Sequence, residues 1–255
     1  MHLILTGATG LVGTSVLDAM LKTASITKIS ILSRKPVPMA ENAKDPRVNV
    51  IIHKQFETYE PELLDKLKDA DACVWALGTS VTNVSKEQYI KITRDYALSA
   101  AEAFSTLKPS NRPFRFIYVS GEGVTQNPGP FTAAFARVKG EAESLLGKLS
   151  AKSPELIRAD SVRPGFVDPA ADEAVRAYVS GPVITGAAAK IGISLLGPPV
   201  RYLMKGMHSP TEHLGRFLTD MAMGKVDGKL EGKGTFKSGG GVVVENAGIR
   251  RVCGL

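Results

Sequence analysis

Residues 1–13 read MHLILTGATGLVG, an apolar segment that runs directly into glycines spaced three residues apart. The segment from Leu3 to Leu5 predicts a buried strand. In the turn that follows, Gly7 permits the tight bend, Gly10 lets a pyrophosphate approach the backbone, and Gly13 lets the next helix pack close to the sheet. Because the free N–H groups at a helix N-terminus attract phosphate, the stretch predicts a nucleotide-binding cradle; the alternative is a glycine-rich turn without a ligand.

The length and composition of the chain fit one α/β domain in a reducing compartment. Its 255 residues can bury a full core and no Pro/Gly/Ser-rich linker divides them, so we expect a single domain over residues 1–255. The first predicted strand leaves no room for a signal peptide, and no stretch has the apolar length of a membrane span. Cys73 and Cys253 give neither a metal site nor a disulfide framework. We therefore expect a cytoplasmic protein.

The charged residues argue against nucleic acid as a partner. The net charge of +7 comes from 32 basic and 25 acidic residues that are spread along the chain. There is no basic run of the kind that marks nucleic-acid arms. Most of these charges are expected to be solvated, and their positive excess favours a polyanionic cofactor or substrate. We expect a small-molecule substrate and either a monomer or a homodimer.

Apolar runs and helix-period segments alternate along the chain. The predicted strands are Leu3 to Leu5, Lys28 to Leu32, Val48 to Ile52, Ala72 to Leu77, Arg115 to Val119 and Ser161 to Arg163, with Val242 to Val244 as a final strand. Between two of them, Ser85 and Gln88 form a capping box that predicts the start of a longer helix. The alternation predicts an α/β fold, a Rossmann-type doubly wound parallel sheet with helices on both faces. A ligand is expected at the C-terminal ends of the strands.

Residues 166–235 do not keep this rhythm. The stretch from Tyr178 to Met204 is apolar but is broken by glycines and prolines, which argues against one long helix. We expect short helices that form a small C-terminal helical cover over the substrate side of the cleft; contact with a membrane surface is the alternative. Ser209 and Glu212 predict a capping box at the start of one of these helices.

The end of the second strand carries Ser33, Arg34 and Lys35, where an NAD site usually has a carboxylate. No carboxylate would repel a 2′-phosphate here and an arginine could bind it, so the sequence favours NADP(H); alternatively, both cations are solvated loop charges. Phe56 follows the third strand and either flanks an adenine ring or belongs to the core. The small residues from Ala76 to Thr79 suit a backbone beside the cofactor, or a plain strand-to-loop turn.

Several motifs together carry a resemblance to a known family. They are Thr6 to Gly13, Ala76 to Thr79, Arg94 to Tyr96, Tyr118 to Ser120, Arg137 to Glu141 and Arg163 to Gly165. With these motifs the chain resembles an atypical or extended short-chain dehydrogenase/reductase, similar to the Tat-interacting oxidoreductase-like group, over most of its length. The cofactor-binding residues then expected are Gly7, Thr9, Gly10, Leu11, Val12, Gly13, Ser33, Arg34, Lys35, Phe56, Ala76, Leu77, Gly78, Thr79, Lys139, Pro164 and Gly165.

In that family the chemistry is carried by a serine at the end of the fifth strand and by a tyrosine four residues before a lysine. The resemblance maps the serine onto Ser120 and the lysine onto Lys139, while Phe135 stands at the tyrosine position. The serine would hold the substrate carbonyl, and the lysine would bind the nicotinamide ribose. Taken alone, a serine such as Ser120 at a strand end is more often structural, and a lysine such as Lys139 on a helix is usually solvated at the surface. Phe135 has no hydroxyl, so the usual proton donor is missing, and Tyr118 and Glu122 are the other titratable candidates nearby.

The residues leave more than one function open. The first is an NADPH-dependent oxidoreductase that acts on a small carbonyl or enone, either weakened by Phe135 or using a different proton source. The second is an NADP(H)-binding regulator or redox sensor, or a non-reductive enzyme such as an isomerase that uses the same cleft.

Overall fold

The computed structural model describes residues 1–107, 112–179 and 204–255. The strands are β1 (His2–Thr6), β2 (Lys28–Ser33), β3 (Val48–Ile52), β4 (Ala72–Trp75), β5 (Phe114–Val119), β6 (Ile157–Arg163), β7 (Phe166–Asp168), β8 (His208–Pro210), β9 (Thr235–Ser238) and β10 (Gly241–Glu245). The α-helices are α1 (Leu11–Leu21), α2 (Pro38–Ala43), α3 (Pro61–Leu67), α4 (Lys86–Ile90), α5 (Tyr96–Ser105), α6 (Ala134–Lys152), α7 (Glu173–Val179), α8 (Thr211–Ala222) and α9 (Asn246–Cys253). A π-helical turn, Lys91–Asp95, joins α4 to α5.

The predicted doubly wound sheet is confirmed. In the described residues, eight strands form one sheet in the order β3-β2-β1-β4-β5-β6-β10-β9. All neighbouring pairs are parallel except β10 and the edge strand β9, which are antiparallel. The chain winds one way from β1 to β3 and the other way from β4 onward. A ligand cleft is expected where the strand order reverses, between the carboxyl ends of β1 and β4.

The sheet has an apolar core on each face. Leu3 and Leu5 of β1 lie in one core with α1 and α8, whereas Ile4 lies in the other with α5 and α6. Both sides of a buried parallel strand are apolar, which is why this stretch has no polar alternation. The first core also contains Phe217 of α8, and the second contains Phe104 of α5.

Two strand boundaries differ from the sequence prediction for physical reasons. Strand β4 ends at Trp75, two residues earlier than expected, and the amide of Leu77 then donates to the Thr6 hydroxyl at 3.2 Å instead of to a neighbouring strand. Strand β6 begins at Ile157, before the apolar run that predicted it. Its first half contains two charged residues, Arg158 and the fully buried Asp160. They form an ion pair of 2.9 Å, which compensates the buried charge.

The two predicted capping boxes have different outcomes. The Ser85 hydroxyl accepts the amide of Gln88 at 3.2 Å and caps α4, as predicted. The prediction for Ser209 is wrong, because this residue lies in β8 and α8 begins at Thr211. The Ser209 hydroxyl instead accepts the amide of Gly165 at 2.9 Å and donates to Asn246 at 2.6 Å.

The expected cover over residues 166–235 is only partly a cover. Strands β7 and β8 pair in parallel, and Val167 of β7 lines the cleft described below. Helix α8 does not cover the cleft but packs on one face of the sheet beside α1. It contributes Leu214 and Leu218 to the core on that face. The central part of the expected cover, residues 180–203, lies outside the described residues. None of the helices in the described ranges is long and apolar enough to cross a bilayer.

The contact between α1 and α8 leads to a stability prediction. A β-carbon on Gly215 would collide with the carbonyl oxygen of Ser15, so Gly215→Ala must push the two helices apart. We expect the free energy of unfolding to fall by about 1–3 kcal/mol in urea denaturation. Gly228→Ala is the matched control, since its exposed position has open space around the new β-carbon and should change stability by less than about 0.5 kcal/mol. Equal stability of both variants would contradict the packing described here.

Candidate functional site

The turn between β1 and α1 is held by backbone contacts that only glycine permits. Gly7 has a φ of 70°, and a β-carbon there would collide with the carbonyl of Ala76 after β4. A β-carbon on Gly13 would collide with the carbonyl of Gly7. Gly10 is the N-cap of α1, with extended backbone, and its amide donates to the Gly7 carbonyl at 2.9 Å. The open N-terminus of α1 therefore faces the cleft in the manner of an anion-binding helix end.

A cleft of about 780 Å³ lies at the carboxyl ends of the central strands. Its walls are Gly10, Leu11, Val12, Arg34, Lys35, Ala76, Leu77, Gly78, Thr79, Ser80, Asn83, Val119, Ser120, Gly121, Glu122, Lys139, Pro164, Gly165 and Val167. The cleft thus brings together residues that the sequence placed in separate motifs. Gly13 is not in this wall, which fits its role in helix packing.

A second cavity of about 290 Å³ adjoins the cleft at the end of β2. Gly7, Thr9, Leu32, Ser33, Arg34, Lys35, Phe56 and Leu77 line it. The Ser33 hydroxyl donates to the carbonyl of Lys35 at 2.7 Å, which fixes the turn that carries Arg34. The Arg34 side chain is exposed, and the described residues offer it no hydrogen bond or ion pair. A cation left free at this place suits a phosphate on the ribose 2′ position.

Phe56 belongs mainly to the core. It is 1% exposed, and its ring packs edge-on against Trp75 with 5.9 Å between centroids and against His53 with 4.9 Å. It lines the smaller cavity, so it can still contact a ligand there. Trp75, the only tryptophan of the chain, thereby lies one ring away from this cavity.

Ser120 lies just beyond β5 and faces the cleft. Its amide donates to the Val162 carbonyl of β6 at 2.8 Å, which fixes the backbone at this point. The residue is 4% exposed, and its hydroxyl has no hydrogen-bond partner in the described part of the chain. A buried hydroxyl without a partner costs free energy unless a ligand or water completes its bonding. This arrangement fits a group that receives a ligand oxygen.

Lys139 extends from α6 to the same wall of the cleft. Its ammonium group donates to the carbonyl of Ser120 at 2.8 Å and lies 3.4 Å from that of Val119. Burial lowers the pKa of Lys139 to about 8, and the negative charge of Glu143 one turn further along α6 opposes this shift. Glu143 itself makes a bidentate ion pair with Arg163, at 2.6 and 2.9 Å, just before Pro164 and Gly165.

Phe135 lies one helical turn before Lys139 but is not part of the cleft wall. Its side chain is 38% exposed, and its ζ-carbon would lie 4.0 Å from a β-carbon on Gly123. Tyr118 does not replace the missing hydroxyl, because it is 1% exposed and donates to the Thr93 carbonyl of the π-helical turn at 2.9 Å. Burial also raises the pKa of Tyr118 well above its usual range, so this hydroxyl remains protonated.

Glu122, the second titratable candidate from the sequence, does lie in the cleft wall. Its amide donates to the Pro164 carbonyl at 2.8 Å, and this bond places the turn after β5 against the end of β6. Burial and the nearby charge of Glu245 raise the pKa of Glu122 above its usual value. Ser80, Asn83 and Val167 are further wall residues without a sequence signal, because only the sheet topology brings their loops to this edge.

Proteins of similar sequence show the family of the chain. No protein-family model matches the chain. Botcinic acid biosynthesis cluster B protein 16 of Botryotinia fuckeliana (strain B05.10) is 42% identical over 160 residues, which are 62% of this chain and 99% of that protein. The chain belongs to the family of that protein.

Other known proteins resemble part of the sequence or the fold of this member of the cluster B protein 16 family. Leucinostatins biosynthesis cluster protein T of Purpureocillium lilacinum is 48% identical over 123 residues, or 48% of this chain and 44% of that protein. The mitochondrial protein fmp52 of Emericella nidulans is 26% identical over 195 residues, or 76% and 78% of the two chains. An oxidoreductase structure of the short-chain dehydrogenase/reductase family from Burkholderia thailandensis has a TM-score of 0.66 at 15% identity, covering 97% of this chain and 92% of that one. This member of the cluster B protein 16 family therefore has the short-chain dehydrogenase/reductase fold.

The lowered pKa of Lys139 predicts a pH dependence of stability. Between about pH 8 and 10.5 the native state has released this proton while the unfolded chain still holds it. The unfolded state then binds more protons, so this residue makes the free energy of unfolding rise with pH. Because other groups titrate in the same range, the measurement is the difference between the native chain and Lys139→Met in urea denaturation from pH 7 to 9.5. The variant should lack part of the rise; parallel pH profiles would contradict the burial of this ammonium group.

Proposed function

We propose that the chain is an NADPH-dependent oxidoreductase of the atypical short-chain type that reduces a small, largely apolar carbonyl or enone. The observation that carries the proposal is the meeting of Ser120 and Lys139 in one cleft whose other end is the glycine turn with Arg34. The buried Ser120 hydroxyl, which no described residue bonds, points to a ligand oxygen at that end of the cleft.

The residues present fit a dinucleotide. The turn from Gly7 to Gly13 would hold the pyrophosphate, since a β-carbon at Gly7 or Gly13 would close it. Arg34 would bind the 2′-phosphate, and Lys139 would hold the nicotinamide ribose. When bound, NADPH supplies a hydride.

The chain's own groups would orient and polarise the substrate. The Ser120 hydroxyl would donate a hydrogen bond to the substrate oxygen and so stabilise the negative charge that develops there. The ammonium group of Lys139, fixed by the Ser120 carbonyl, would place a positive charge at the same end of the cleft. Ser120 is 4% exposed, and a hydrogen bond in such low-polarity surroundings is stronger than in bulk water.

A second function is favoured by one specific observation. Phe135 removes the usual proton donor, and its ring lies outside the cleft wall. The same cleft could therefore serve an NADP(H)-binding regulator or redox sensor, or a non-reductive enzyme such as an isomerase. Turnover of reduced cofactor separates these functions from the reductase.

The biological setting is part of the proposal. The names of two relatives place them in biosynthesis clusters, which supports a small-molecule substrate. We further propose kinship with the Tat-interacting oxidoreductase-like group and a monomer or homodimer in the cytoplasm. The name of the fmp52 relative says mitochondrial, so fractionation of cells that produce the tagged chain, with the mitochondrial pellet examined, tests this placement.

Cofactor preference can be measured with the single tryptophan. Tryptophan emission overlaps the absorption of reduced nicotinamide, so bound NADPH should quench Trp75 by energy transfer. Arg34→Ala should weaken NADPH binding about tenfold or more and leave NADH within about twofold, because it removes a charged hydrogen bond to the 2′-phosphate. Gly10→Glu should abolish binding of both cofactors, since it puts a carboxylate in the phosphate site. Equal losses for NADPH and NADH in Arg34→Ala would contradict the assignment.

Reductase activity can be measured as loss of NADPH absorbance over a panel of aldehydes, ketones and enones. Phe135→Tyr should raise turnover while leaving the Kd for NADPH unchanged, because the added hydroxyl can donate a proton. Phe131→Tyr is the control, since its fully exposed ring lies on the loop before α6. No consumption of NADPH by the native chain or Phe135→Tyr would contradict the reductase; binding without turnover would favour the regulator.

A further inference from the structure

Glu122 lies in the cleft wall, but the roles proposed for the glycine turn, Ser120 and Lys139 assign it none. Among the described residues that line the 780 Å³ cleft, Glu122 is the only acidic one. It follows Ser120 by two residues, and its amide is tied to the Pro164 carbonyl. The amides of Ser120 and Glu122 thus fix the backbone of the turn to Val162 and Pro164, and the exposed Glu122 side chain retains contact with solvent.

The same turn contacts the ring that lacks a hydroxyl. The ζ-carbon of Phe135, where a tyrosine would carry its oxygen, lies 4.0 Å from the β-carbon position of Gly123. Gly123 has a φ of 77° and directly follows Glu122. Glu122 is therefore the cleft-wall residue next in sequence to the glycine that contacts this ring.

The surroundings of Glu122 raise the pKa of its carboxyl above the ordinary value. Burial raises the pKa of this carboxyl most, and the carboxylate of Glu245 raises it further. The amide of Asn246, at the start of α9, and the guanidinium of Arg163 act in the opposite direction. Lys139 of α6 and, after β2, Arg34 and Lys35 are the other charged residues among the described ones that line this cleft.

We propose that Glu122 is the proton donor of the reductase. This assignment rests on the proposed function. The substrate carbon accepts the hydride from NADPH, and the electron pair of the C=O bond moves to the oxygen, which takes the proton of the Glu122 carboxyl. An alcohol, NADP⁺ and a carboxylate result, and solvent returns a proton to the exposed carboxylate. For an enone the same proton goes to the carbon that receives the electron pair.

The kinetic test compares isosteric variants. Glu122→Gln should lower kcat about 100-fold or more, while the Kd for NADPH from Trp75 quenching stays within twofold. In the native chain kcat should fall as pH rises through the pKa of Glu122, and this limb should disappear in Glu122→Gln. Glu245→Gln should move the limb to lower pH, because it removes a neighbouring negative charge. Glu231→Gln, an exposed carboxyl elsewhere, should change neither value.

A rescue experiment separates a proton donor from a merely structural residue. Formate buffer should restore part of the rate of Glu122→Ala, and Phe135→Tyr should restore part of the rate of Glu122→Gln by supplying a second donor. A readout that needs no turnover is the titration of the Glu122 carboxyl carbon by ¹³C NMR. It should titrate above the ordinary value for glutamate in the native chain and lower in Glu245→Gln.

The outcomes distinguish the two proposals. A native chain that oxidises NADPH with substrate, together with a Glu122→Gln variant of equal rate and pH profile, overturns the role of Glu122 and leaves the reductase intact. A native chain that is inactive while Phe135→Tyr is active also overturns it. No NADPH consumption by any variant overturns the proposed function, and the role of Glu122 with it. An ordinary pKa for the Glu122 carboxyl likewise counts against the donor.

Discussion

The site depends on the close backbone approach at the first turn of the chain. Gly7 lies against the carbonyl that follows β4, and Gly13 lies against the carbonyl of Gly7, so neither position has room for a side chain. These contacts hold the N-terminus of α1 at the point where the strand order reverses. Strand β4 ends there because Leu77 bonds to the Thr6 side chain instead of continuing the sheet. The cleft and the helix N-terminus that we propose for the pyrophosphate both follow from this geometry.

At the other end of the cleft, polar groups are held in low-polarity surroundings. Lys139 gives two backbone carbonyls a charged donor, and the Ser120 hydroxyl has no partner within the described ranges of the chain. Behind them the Glu143–Arg163 ion pair joins α6 to the end of β6, which carries the next wall of the cleft. Breaking such a buried pair is costly, since it leaves an uncompensated charge. The fold thereby fixes the two elements that the chemistry needs.

Much of this could be predicted from the sequence where the signal is local. The glycine turn, the parallel sheet and the cap at Ser85 depend on neighbouring residues. The length of β6 could not be predicted, because the buried Asp160 pairs with Arg158 of its own strand and accepts the amide of Val242 from β10, which is distant in sequence. Ser209 has the sequence of a cap, yet its hydroxyl joins Gly165 to Asn246 across three elements. Glu122 is a candidate in the sequence because it follows Ser120 by two residues, but its place in the cleft wall is set by the tertiary bond of its amide to Pro164.

The central claim is that one cleft holds NADP(H) with its reactive end between Ser120, Lys139 and Glu122. A crystal structure of the chain grown with NADP⁺ tests it most directly. The account predicts the pyrophosphate on the Gly7–Gly13 turn, the 2′-phosphate at Arg34 and the nicotinamide beside Ser120. A nicotinamide ring turned away from Ser120, a cofactor bound elsewhere, or an empty cleft at saturating NADP⁺ would contradict it.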